Sequence, residues 1–278
     1  MIQENWRDQV RGPATTKAKL RKLARDTVLS ASALFGSGMS GNFVRPLYSH
    51  YVFDDQRADF ERLMRHALDQ GEFVDTAALV QMVRGDVPID GRYFHMSFDD
   101  GLHCLHRNAA PILADLGIPS IVFANSAMVQ DTPAETEASW RKATNYLGKV
   151  ALMNWQELRE VSEAGMEIGA HTRTHRRLSA ISAEPGALED EIAGCKTDIE
   201  AALGTTCRYF AWPFGTKADV DAASLEAIKA AGYEAAFGVY REPVVGGATD
   251  PFMIPRHHFE PQWPFDHVRY FMAGGREK

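Results

Sequence analysis

Four glycines set the rhythm of this chain. Gly117, Gly165, Gly204 and Gly232 each end a segment whose apolar residues recur at helical spacing, and each is followed within a few positions by a short apolar run. A glycine just past the last helical residue accepts the left-handed conformation that closes a helix. The order helix, glycine, strand is therefore repeated. The apolar runs predict strands over 93–98, 120–125, 166–170, 209–212 and 235–239, and an earlier one over 44–52 ending near Ser49 and His50. Helices are expected near 57–68, 102–116, 155–164, 189–203 and 224–231, and in the first of these Phe60, Leu63, Met64 and Ala67 share one face. Strands alternating with helices imply an α/β fold with a parallel sheet, closed most economically into a barrel.

A chain of 278 residues is long enough for one such barrel. Its composition, 45% hydrophobic and 24% charged, is that of a globular protein rather than a disordered one. The formal charge of −7 offers no broad basic surface, so nucleic acid is not an expected partner. Cys104, Cys195 and Cys207 are odd in number and lack metal-finger spacing, and they read as reduced, buried thiols. No apolar run reaches bilayer length. The one candidate leader core, 27–35, lies far from Met1 and is interrupted by Ser30 and Ser32, so a cytoplasmic location is expected.

Residues 1–43 read as an N-terminal segment added to a barrel domain over 44–278. Within it Leu20, Leu23, Ala24, Val28 and Leu29 recur at helical spacing beside Lys17, Lys19, Arg21, Lys22 and Arg25. Such a basic amphipathic helix docks on its domain or stays solvated, and it is also of the type that makes peripheral contact with an anionic membrane. The glycines from Gly36 to Gly41 match the dinucleotide-binding spacing, with Glu61 about twenty residues on. Pro46 follows too soon for a helix to open there and no clear strand precedes, so this stretch is a connector. The long polar segment 128–149, with Trp140 and Tyr146, is either a loop that covers substrate or a surface insertion.

Chemistry concentrates at two expected strand ends. Ser97-Phe98-Asp99-Asp100-Gly101 supplies two adjacent carboxylates, and His171-Thr172-Arg173-Thr174-His175 supplies two imidazoles. Consecutive residues at a strand end point in different directions, so one aspartate can ligate a metal while its neighbour acts as base. Histidines four apart fall on one side of a turn. With Asp100 they make a two-histidine, one-carboxylate set, which leaves room for water and substrate and favours hydrolysis. Fe(II) oxygenases use a similar set, but the motif order and the strand–helix alternation argue against them.

From about 47 to 259 the chain resembles the polysaccharide deacetylase family, also called NodB-homology or carbohydrate esterase family 4 domains. The resemblance rests on the two motifs above and on Phe210-Ala211-Trp212-Pro213-Phe214-Gly215, which is similar to the Phe-Ala-Tyr-Pro-Tyr/Phe-Gly segment of one branch. It implies a single distorted (β/α)7 barrel and N-deacetylation of an N-acetylated sugar, in a glycan or a glycan precursor, as in exopolysaccharide biosynthesis. It also implies that Asp100, His171 and His175 hold one divalent metal, Zn2+ first, with Co2+, Ni2+ or Fe2+ as alternatives. Asp99 would be the base that takes a proton from the attacking water, and the Phe214 backbone N–H would help stabilise the oxyanion. The family's usual Arg-x-Pro-Tyr motif is missing, so the arginine that tunes the base is assigned to Arg256, ahead of Arg208 and Arg173. The general acid is His50, in Leu47-Tyr48-Ser49-His50, or alternatively His257, with His50 preferred.

Outside these motifs plainer readings hold. His95, His103, His106 and His66 read as packing or surface residues. Trp155, Phe214 and Trp212 read as core aromatics, Trp212 also being able to stack on a sugar ring. A deformylase or metal-free C–N hydrolase of the same fold, and a silent carbohydrate-binding protein, are the competing functions.

Overall fold

The computed structural model describes residues 2–8, 26, 27, 29, 30, 39–144, 149–275 and 277. Most of the expected N-terminal amphipathic helix, part of the glycine connector and Tyr146 lie outside the described residues.

Among the described residues, eight strands all run parallel to their neighbours: β1 (Phe43–Ser49), β2 (Glu72–Phe73), β3 (Arg92–Phe98), β4 (Ser120–Ala124), β5 (Met166–Ala170), β6 (Tyr209–Ala211), β7 (Ala235–Phe237) and β8 (His257–His258). The main path runs β7-β6-β5-β4-β3-β1-β8, with β2 added beside the first half of β3. The two ends of this curled sheet meet in one short segment. Ile254 bridges to Phe237 of β7, and three residues later His257 pairs with Leu47 of β1. Seven strands on the main path, curled and flanked by helices, make the distorted (β/α)7 barrel that the sequence implied.

The strands are buried on both faces, as parallel strands are. Period-two alternation sends Ile121, Phe123, Tyr209, Ala211, Ala235 and Phe237 to one cluster, and Val122, Ala124, Phe210, Trp212 and Ala236 to the other, which lies beneath the helices. The helices are α1 (Arg57–Leu68), α2 (Thr76–Arg84), α3 (Ala110–Asp115), α4 (Pro133–Thr144), α5 (Trp155–Glu163), α6 (Cys195–Leu203), α7 (Ala222–Ala230) and α8 (Phe265–Met272), with shorter turns between them. Phe60, Leu63, Met64 and Ala67 are the buried face of α1, as their spacing requires. Asn154 caps α5 by accepting from the Glu157 N–H at 2.8 Å, while the Glu157 carboxylate accepts the Asn154 N–H at 3.1 Å. No helix among the described residues is long and apolar enough to cross a membrane. Cys104, Cys195 and Cys207 are all free thiols.

The expected helices over 102–116 and 189–203 are interrupted by π turns at Leu105–Ala109 and Asp190–Gly194. Pro111 explains the first, since it cannot donate to the preceding turn and its ring crowds the carbonyl four residues back. Within the polar segment after 128, residues 133–144 form α4, which turns Trp140 inward to 6% exposure.

Candidate metal-binding active site

β3 ends at Phe98, and the chain then turns sharply through Asp99, Asp100 (φ 69°) and Gly101 (φ 68°). β5 ends at Ala170, and His171 follows at once, its N–H bonded to the Ala124 carbonyl of β4 at 2.9 Å. Asn125 fixes this exit by donating to the carbonyls of both His171 and Thr172. Beyond it, Thr172 and His175 have φ of 64° and 58°. Side-chain-bearing residues rarely adopt positive φ, and Asp100, Thr172, His175 and Phe214 are all of those that do so among the described residues. Asp100, His175 and Phe214 line one cavity, and Thr172 directly follows His171 on its wall; stored backbone strain at such a place is typical of a functional site.

The Asp100 Oδ1 lies 3.6 Å from His171 Nε2 and 3.4 Å from His175 Nε2. Those distances are long for hydrogen bonds, and Oδ1 is a buried atom with no hydrogen-bond partner. A tetrahedral ion with ligand bonds of about 2.0–2.1 Å sets its donors about 3.3 Å apart, which is the spacing found here. Because His171 Nδ1 donates to the Ala211 carbonyl at 2.7 Å, its Nε2 lone pair is left facing Asp100. Burial pushes His175 down to about 4, overcoming the pull of Asp100, and so leaves a neutral imidazole of the form that ligates metals. The three residues fit one divalent ion.

Asp99, 3% exposed, makes a two-pronged ion pair with Arg256: Nη1 to Oδ1 at 2.7 Å and Nη2 to Oδ2 at 2.8 Å. Burial would raise its carboxyl, but the Arg256 charge, with the Arg256 hydrogen bonds adding, outweighs burial and holds it below the usual range. Arg173 and Arg208 are committed elsewhere, to Asp190 and Asp198 and to Glu234. Of the three candidate arginines, Arg256 is the one paired with Asp99.

Asp99, Asp100, His171 and His175 line a cavity of about 750 Å³ whose walls include Tyr51, Trp140, Phe214 and Trp263. His50 lines it too. Its Nδ1 meets Glu260 Oε1 at 2.9 Å, and its Nε2 is in close contact with the Tyr48 hydroxyl. Burial disfavours the His50 charge, but the hydrogen bond and the negative charge of Glu260, with Asp100 and Asp99 adding, raise it to about 9.

Three expected roles are corrected by position. His257 is 1% exposed, faces the Glu242 carbonyl at 3.4 Å and does not line the cavity. Its neighbour His258 does, because successive strand residues point to opposite faces. Trp212 is fully buried, its indole donating to the Thr216 carbonyl, so it is out of reach of a sugar. Phe214, expected in the core, is 52% exposed at the cavity, packed edge-on to His175 at 5.0 Å and under the Arg177 guanidinium. His95 packs on Phe237 and meets Thr76, while His103 and His106 pair with Glu157 and Glu160, as packing and surface residues do. Glu260 escaped the sequence reading, and Trp140 was named there only as part of the 128–149 segment. His258-Phe259-Glu260 carried a signal, since residues two apart past a strand share a face.

A sequence model of the family described as polysaccharide deacetylase matches residues 86–236. The chain belongs to that family, whose members are hydrolases acting on the amide bond of N-acetyl sugars. Solved structures similar to it include IcaB from Ammonifex degensii (19% identity, TM-score 0.67, covering 85% of this chain and 100% of that one). Others are the Streptococcus pyogenes deacetylase PplD (16%, 0.64, 84% and 99%) and a de-N-acetylase from Aggregatibacter actinomycetemcomitans (17%, 0.64, 82% and 99%). At such identities the likeness is one of fold. No curated protein matches the chain.

Proposed function

We propose that the protein is a metal-dependent N-deacetylase acting on an N-acetylated sugar of a glycan or glycan precursor. The observation that carries this reading is the buried, unpartnered Asp100 Oδ1 held at metal-donor spacing from two imidazole nitrogens. When bound by Asp100, His171 and His175, a divalent ion supplies Lewis-acid activation of water and of the acyl carbonyl. Zn2+ is our first assignment, and Co2+, Ni2+ and Fe2+ suit the same donors.

The remaining steps belong to the chain's own groups. Asp99 accepts the proton of the attacking water, and the paired Arg256 keeps it ionised for that task. His50, charged through Glu260, gives a proton to the departing amine. Phe214 borders the acyl site and contributes its backbone N–H to the developing oxyanion. Trp140, Tyr51 and Trp263 offer flat apolar surface to the faces of a sugar, and the wall carries few charges besides the reacting ones.

The test is acetate release from a panel of N-acetylated sugar oligomers and sugar nucleotides. Release should stop on chelation, return with added Zn2+ or Co2+, and fall by about 10²–10⁴ in Asp99→Asn while bound metal is unchanged. Formate in place of acetate would indicate a deformylase. Turnover that survives chelation and His171→Gln would overturn metal dependence, and glycan binding without product would leave a silent binder.

A further inference from the structure

A second group of metal-type donors lines the same cavity and has no part in holding the first ion. His50 Nδ1 and His258 Nε2 converge on one oxygen, Glu260 Oε1, at 2.9 and 2.8 Å. The donor atoms of the three residues all lie within 4.8 Å of one another. Glu260 is 4% exposed, and its other oxygen is held by the Ser49 hydroxyl at 3.0 Å, which aims Oε1 at the two imidazoles. The histidine side chains are half-buried, 35% and 31% exposed, and open to the cavity. Two histidines and a glutamate are a set that Zn2+ accepts with a coordination position to spare.

We propose that His50, His258 and Glu260 form a second divalent-cation site, weaker than the first, whose occupation inhibits the enzyme. The weakness follows from spacing. At the first site the carboxylate–imidazole separations of 3.4 and 3.6 Å already match the edges of a coordination tetrahedron. At the second, 2.8 and 2.9 Å are hydrogen-bond lengths, and the donors must part by about half an ångström to admit an ion with bonds of about 2.0–2.1 Å. The protons now shared with Oε1 leave for solvent as the ion enters, so metal and proton compete for the same imidazoles. The buried carboxylate is fixed, whereas the two rings stand at the cavity edge and can swing. The inhibitory consequence rests on the reading of His50 as the acid, because an imidazole bound to metal through Nδ1 no longer holds the proton arrangement that Glu260 supports. The site itself does not rest on that reading.

Zn2+ titrated into metal-free protein against a chromophoric chelator, with elemental analysis of the product, counts the sites. Two equivalents are expected in the native chain and one each in Glu260→Gln, His258→Gln and His171→Gln. Ser49→Ala should keep both but weaken the second by about 10–100-fold, as loss of an outer hydrogen bond does. If Glu260→Gln fails to fold, His258→Gln, on a half-exposed side chain, gives the same answer. Excess Zn2+ should depress native turnover, and His258→Gln should need at least about tenfold more Zn2+ for equal depression. A single native equivalent that His171→Gln abolishes overturns the second site and leaves the catalytic reading standing. A single equivalent lost in His258→Gln but kept in His171→Gln upholds it and sinks the first. Two equivalents untouched by His258→Gln and Glu260→Gln overturn the residue assignment.

Discussion

At the scale of single residues, the site is a contest between burial and partners. Asp99 and His50 keep their charges because Arg256 and Glu260 stand beside them, whereas burial, with the charges of Arg45 and Arg241 adding, pushes His257 down to about 3 although Glu277 Oε1 stands 3.4 Å from its Nε2. His50 and His257, the two candidate acids, thus meet opposite surroundings. For the general acid this separates two variants cleanly. His50→Ala should lower kcat by about 10²–10⁴ with the Asp100 site still loaded, while His257→Ala should leave kcat within about a factor of a few and cost stability instead. Steady-state rates beside metal content decide it, and a His257→Ala rate as low as that of His50→Ala would return the acid to His257. The motif residues were legible because their chemistry needs those types at that spacing. Glu260 was not, since a lone acid past a two-residue strand has no pattern until the strand is known.

At the scale of elements, periodicity carried the strands and the amphipathic helices, and it failed where something other than an apolar stripe makes the helix. α4 shows this. Its sequence is largely polar, and it turns mainly Trp140 inward, onto His175 at 5.4 Å. α2 went unread because Leu79, Val80 and Val83 face the inner cluster of the barrel, which exists only once the sheet has closed. α7 was legible by its stop, Gly232, and the structure adds its cap: Asp221 accepts from the Ser224 N–H and hydroxyl at 2.8 and 2.7 Å. Asp221→Ala should cost about 1 kcal/mol by urea unfolding near neutral pH. The Ser182 hydroxyl, then the Ser224 groups, hold this carboxyl below its ordinary value. A depressed folded value means that the contribution is fully present above the unfolded carboxylate range near about 4. It is lost as pH falls through the lower folded value. The gap between native and Asp221→Ala should therefore be constant from pH 7 to about 5 and close in stronger acid. A gap that widens there would refute the cap.

At the scale of the molecule, the question is what closes a barrel whose seam has so little ladder. One bridge at Ile254 and two paired residues at His257–His258 join β7 to β1. Between them lies Arg256, wholly buried, and its side chain reaches more of the barrel than any backbone bond there. Its Nε donates to the Gly238 carbonyl just past β7 at 3.1 Å, its Nη atoms take Asp99 past β3, and its plane lies against Tyr48 of β1 and Phe123 of β4. The ion pair that holds the proposed base is thus also what the seam is packed around, which sequence could suggest only as a charge near Asp99. A buried pair need not stabilise a fold relative to apolar residues, but breaking one leaves a stranded charge at about 3–5 kcal/mol. Arg256→Met should lose about that much by urea unfolding, with Asp99 left unpaired. Asp99→Asn should lose stability too, because Arg256 then keeps its charge without a counterion. The double variant should fall short of the sum of the two by about 0.5–3 kcal/mol, since each change removes the reason for the other's cost. Losses that simply add would mean that Arg256 packs the seam independently of Asp99, and closure and catalysis would then be separate properties of this barrel.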